Sequence, residues 1–131
     1  MIAAVCAAFV KPDKPVVLCV EDDKTQLRLL RKILEKRGFS VLQATTAADG
    51  LRLFRNNPVS LIVIDQKLGE KRMTGAELAR KVKAIRPNVP VVLRSGYPPE
   101  TMSNWDVFIN KGEGVESFLI IVRDLIRRYR E

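Results

Sequence analysis

Two stretches of this chain, Val16–Val20 and residues 61–64, are apolar at every position, and residues 89–93 add a third around Pro90. A strand wetted on one face alternates apolar and polar residues. A strand that is apolar throughout has to be covered on both faces. The segments between these runs repeat their apolar residues at helical spacing instead. The chain is therefore expected to build a sheet of buried strands with helices on each side, an α/β layout with parallel strands joined by right-handed crossovers.

The helical segments carry their own boundary signals. Residues 25–37 place Leu27, Leu30 and Leu34 on one face, widened by Leu29 and Ile33, and Gly38 follows as a stop. Residues 39–44 read as a weaker strand nearer an edge. Ala47–Asn56 is helical through Ala48, Leu51 and Phe54, and Asn57-Pro58 ends it. Thr74 opens another helix, with Glu77 three residues on as a capping box, a stripe of Leu78, Val82 and Ile85, and Pro87 beyond. Residues 107–109 form a short fifth strand. Val115–Tyr129 is the last helix, with Val115, Phe118, Val122, Leu125 and Tyr129 on one face. Ile120 and Ile121 lie off that stripe and mark either an interface or ordinary surface.

Composition narrows the chemistry. The chain has 131 residues, the size of one domain, and 47% of them are hydrophobic. Residues 1–15 read as an extension or linker, broken by Pro12 and Pro15, and residues 16–131 as the domain. The longest apolar run, residues 2–10, is too short to span a bilayer and lacks a basic leader, so no membrane insertion is expected. Cys6 and Cys19 fit neither a redox nor a zinc spacing and read as reduced cysteines of a cytoplasmic protein. There is no histidine, which excludes a Ser-His-Asp triad, a His-ligated metal and a phosphohistidine donor within the chain. The net charge of +8 sits mostly on helix positions that alternate with apolar ones, as on solvated helix faces. With no DNA-reading motif or aromatic platform, nucleic acid is not the expected partner.

The residues that carry chemistry fall at strand ends. Glu21, Asp22 and Asp23 follow the first strand, Asp65 the third, Ser95 the fourth and Lys111 the fifth. In a parallel sheet these ends share one edge, where ligands bind. Carboxylates crowded there repel one another and call for a cation, and hard oxygen donors suit Mg²⁺. Lys111 offers a point charge and Ser95 a hydroxyl to an anion. Together they make a phosphoryl-transfer site with a carboxylate nucleophile. Taken singly, each feature reads equally as a turn, a cap or a surface charge; the four in order, each at its own strand end, do not.

The segments VVLCVEDD, LIVIDQKL, MTGAELARKVKAIRP, VPVVLRSGY and FINK resemble the response regulator receiver domain of two-component signalling, over residues 16–128. The resemblance implies a doubly wound, flavodoxin-like sheet of five parallel strands in the order 2-1-3-4-5. It implies that Asp65 is the phosphoacceptor, that Asp22 binds Mg²⁺ directly and Glu21 through water, and that Lys67 gives its backbone carbonyl to the metal. Ser95 and Lys111 take the family's hydroxyl and lysine positions, Phe108 that of an aromatic switch residue, and Asp23 is left to cap the first helix. The implied partner is a histidine kinase or histidine phosphotransfer protein, with a homodimer as a further option. The implied activity is phosphoryl acceptance with at most slow self-dephosphorylation, not enzymatic turnover. The SGY motif and the MTG-ELA-IRP run are most similar to receivers attached to hybrid sensor kinases.

The chain departs from the family pattern at four places. Gly69 stands where the family has Pro. The loop after Asp65 is longer and carries Glu70, Lys71 and Arg72. Gly112 replaces the Pro after the lysine, which should loosen that turn. The stretch from Ser95 to Lys111 is short, with Pro98-Pro99, so the family's fourth helix is expected to be shortened or absent. A competing reading is a receiver-like interaction module that no longer needs phosphate.

Overall fold

A computed structural model describes residues 14–65, 74–96 and 105–129. Strands β1 (Val16–Val20), β2 (Ser40–Ala44), β3 (Leu61–Asp65), β4 (Val91–Ser95) and β5 (Val107–Asn110) alternate with helices α1 (Lys24–Lys36), α2 (Ala47–Asn56), α3 (Gly75–Ile85) and α4 (Val115–Tyr129). The five strands form one parallel sheet in the order β2-β1-β3-β4-β5. This is the doubly wound order expected. The chain steps outward from β1 to β2, then crosses back over β1 to β3, so strand order reverses between β1 and β3.

Alternation along each strand sorts the core into two layers. Val17, Cys19, Leu61, Val63 and Val92 face α1 and α4, where Leu27, Leu30, Leu34, Phe118 and Val122 cover them. Leu18, Val20, Ile62, Ile64 and Leu93 face α2 and α3, where Phe54, Leu78 and Val82 close the other side. β3 is buried at all five positions, as its apolar run requires. β2 is an edge strand and mostly half-buried.

The helix starts follow their capping chemistry. Asp23 accepts hydrogen bonds from the Thr25 and Gln26 N–H groups at the head of α1. Thr74 and Glu77 bond each other's backbone N–H at the head of α3, the expected capping box. α1 is closed by Arg37 and then Gly38, whose φ of 93° suits glycine.

Details differ from the sequence reading. β4 begins at Val91 rather than residue 89, because Pro90 has no N–H to donate and the ladder starts with Ile62 opposite Val91. It then runs on through Arg94 and Ser95. Leu29, Ile85 and Val115 lie exposed at the margins of their stripes, while α4 buries Leu119 and Ile126 instead. Ile120 is exposed, and Ile121 packs against the core. The question of a shortened fourth helix concerns residues 97–104, which lie outside the described residues, as do Cys6, Gly69 to Arg72 and Pro98-Pro99. Among the described residues no helix stands between β4 and β5.

Candidate functional site

The carboxyl ends of β1, β3, β4 and β5 meet at one edge because the strands are parallel and in register. Val63 pairs with Cys19 on one side and Val92 on the other, so two residues further on Glu21, Asp65 and Arg94 form a row across three strands, all on the α1 side of the sheet. Lys111 follows β5 directly, and its N–H donates to the Ser95 carbonyl at 2.9 Å, which ties the lysine to the end of β4.

Glu21, Asp65 and Ser95 are buried, a rare state for carboxylates unless they are partnered. The Lys111 ammonium lies 3.2 Å from Glu21 Oε1 and 3.3 Å from Asp65 Oδ2. Glu21, Asp22 and Asp65 each bring one carboxylate oxygen within 4.8 Å of the others. Burial first, then the neighbouring Asp65, push the Glu21 carboxyl up to about 8, against the pull of Lys111. Three hard oxygen donors so placed fit a single Mg²⁺, whose preferred metal–oxygen distance of about 2.0–2.1 Å brings its ligands to comparable spacing. The crowding that raises Glu21 is what such an ion would relieve.

Of the residues singled out in the sequence, Glu21, Asp22, Asp65, Ser95 and Lys111 are at this one edge. Asp23 is turned to the α1 cap. Phe108 is half-buried and packs on the α2–α3 side of the core. Lys67 lies outside the described residues. The turn after Lys111 is hydrogen-bonded: the Gly112 N–H donates to Asn110 Oδ1 at 2.8 Å, and the Asn110 N–H donates to Glu113 Oε1 at 3.2 Å. A Cβ on Gly112 would sit 3.2 Å from that same Asn110 oxygen, a tight approach that favours glycine here.

The sequence reading passed over Arg94. Its guanidinium is 4.0 Å from Glu21 Oε1 and 3.4 Å from Gln26 Oε1 on α1, with only 15% of the side chain exposed. The signal was present, a cation directly after the apolar run Val91 to Leu93 and directly before Ser95.

A sequence profile of the response regulator receiver domain matches residues 17–105. The transcriptional regulatory protein GlrR of Escherichia coli K12 is 32% identical over 103 residues, covering 79% of this chain and 22% of GlrR. The autoinducer 1 sensor kinase/phosphatase LuxN of Vibrio campbellii is 31% identical over 66% of this chain and 10% of LuxN. The chain thus spans a small part of these relatives' length. A crystal structure of a CheY-like response regulator receiver domain protein from Methanospirillum hungatei superposes with a TM-score of 0.82 at 27% identity, covering 90% of this chain and 98% of that one. The matched profile stops before Lys111, whose position beside Asp65 is seen only in the structure.

Proposed function

This chain belongs to the response regulator receiver domain family, and on that footing we propose that Asp65 accepts a phosphoryl group from a phosphohistidine of a histidine kinase or histidine phosphotransfer protein. The observation that carries the reading is Asp65 itself, a buried carboxylate in reach of Lys111 and grouped with Glu21 and Asp22.

Glu21, Asp22 and Asp65 are the residues that would hold Mg²⁺, with the Lys67 carbonyl as a further ligand. Bound there, the ion supplies positive charge to crowded carboxylates and to phosphoryl oxygens. An Asp65 oxygen bonds to phosphorus as the phosphorus–nitrogen bond of the donor breaks, and that bond's electron pair returns to the imidazole. Lys111 turns its ammonium to the phosphoryl oxygens, and the Ser95 hydroxyl donates a hydrogen bond to them. Both side chains sit on loop or strand-end backbone, so this redirection changes the surface a partner meets. Residues 16–131 are the receiver and residues 1–15 an extension in this reading. The acyl phosphate is lost by slow hydrolysis, and the setting is the cytoplasm.

Thermal melts with Mg²⁺ and with beryllofluoride, a phosphoryl mimic, test the reading. Ligands that bind the folded state raise its Tm. Wild type should be stabilised by Mg²⁺ and further by the mimic, and Asp65→Asn should lose the response to the mimic. A wild type that responds to neither ligand sinks the proposal.

A further inference from the structure

Arg94 is a cation where the sheet should be apolar. Val92, two residues before it on the same face, is fully buried against α1 and α4, and Cys19 lies close enough for Arg94 to pull its thiol down from the high value burial imposes. A charged side chain in such a position is costly unless opposite charge compensates it. Here the compensation comes from the site: Arg94 stands beside Asp65 in the β3–β4 register, and its guanidinium points to Glu21 and Gln26. It also lines, with Lys111, Leu30, Ile109 and Phe118, a cavity of about 230 Å³ between α1 and α4.

We propose that Arg94 is a positioning residue of the acceptor site that acts through Glu21, weakening Mg²⁺ bound alone and strengthening the phosphoryl group. This role rests on Asp65 being the acceptor. With three ionised carboxylates, Lys111, Arg94 and Mg²⁺, the formal charge of the site is one unit positive. An anion of one unit brings it to neutrality. Without Arg94 the metal-loaded site is neutral before the anion arrives, and the anion leaves it negative. A fixed charge in a partly solvated site acts on a divalent ion and on an anion with opposite signs. The guanidinium keeps its charge at every relevant pH. The contact with Gln26 carries the same change to α1: as the metal takes up Glu21's charge, Arg94's balance between Glu21 and α1 shifts.

Arg94→Met removes the charge and keeps the apolar length, and Arg94→Lys keeps the charge. Calorimetric titration of the full chain measures Mg²⁺ alone and beryllofluoride at saturating Mg²⁺. Arg94→Met should bind Mg²⁺ about fivefold tighter and beryllofluoride about fivefold weaker than wild type, with Arg94→Lys within about twofold for both. A purely structural role weakens both ligands together, and that result overturns the proposal, as does no change in either. If Arg94→Met does not fold, Arg94→Gln, also neutral, takes its place under the same criteria. A wild type that binds both ligands while the neutral variants match it removes Arg94's role alone. A wild type that binds neither removes the acceptor reading and Arg94's role together.

Discussion

Lys111 holds two buried carboxylates at once, 3.2 Å from Glu21 and 3.3 Å from Asp65. Removing one partner of a buried charged group leaves the other uncompensated, and that loss outweighs what the pair contributes by itself. With nearly a third of its side chain exposed, water screens part of the effect. Lys111→Ala should therefore cost the metal-free protein about 1–2 kcal/mol, less than a fully buried pair would lose. Saturating Mg²⁺ should recover much of that loss, because the ion compensates the same carboxylates. Melts in chelator and in Mg²⁺ read both numbers; an equal loss in the two buffers would mean that the lysine serves packing only. At this scale the sequence was legible where a residue's type and its place at a strand end coincide, as for Asp65 and Glu21. Arg94 was not, because whether a cation at a strand end turns to water or inward depends on register across neighbouring strands, and register is not written in any one strand.

Helix α2 lies against the sheet at Gly50, where an added Cβ would meet Val20 Cγ2 at 2.8 Å and Cγ1 at 3.3 Å. Valine is stiff at χ1 and cannot swing clear. Gly50→Ala should destabilise the fold by about 1–2 kcal/mol, the overpacking cost outweighing alanine's better helix propensity. Urea unfolding measures it. A second junction pins the start of β5. Asp106 accepts from the Val91 N–H at 2.7 Å and from the Tyr129 hydroxyl at 3.0 Å, and pairs with Lys83 at 2.7 Å. One carboxylate thus joins α3, β4, β5 and α4. Burial alone would raise its carboxyl; the bonds from Lys83, Val91 and Tyr129 overcome burial and hold it below the usual range. A lowered folded-state value means stability that is fully present above the ordinary 3.8 and is lost as pH falls below it. Asp106→Ala should lose about 3 kcal/mol near neutrality and show a shallower decline of stability below pH 4 than wild type, as urea midpoints against pH would record. Elements themselves were readable from periodicity and caps. This clasp was not, since Lys83, Asp106 and Tyr129 sit in three separate segments and look like surface charges and a helix end.

Over the whole molecule, helices on both faces of a parallel sheet leave its carboxyl edge as the place where polar side chains can gather, and the five site residues are there. Apart from the Lys83–Asp106 clasp, the ion pairs away from the site lie in water: Arg31–Glu35 and Arg37–Glu116 are well exposed and add little to stability. Fold class and strand order could be read from the apolar runs and the family resemblance because both are whole-chain patterns. The inward turn of Arg94 could not, because it depends on how two strands far apart in the chain are set side by side. Whether Asp65 takes a phosphoryl group is read out by intact-mass measurement. The protein is incubated with Mg²⁺ and a small-molecule phosphoryl donor such as phosphoramidate, and the modified residue is located after borohydride reduction of the acyl phosphate. Wild type should gain the mass of one phosphoryl group, placed at Asp65, abolished by chelator and absent from Asp65→Asn. No added mass on wild type in the presence of Mg²⁺, or equal modification of Asp65→Asn, would contradict it.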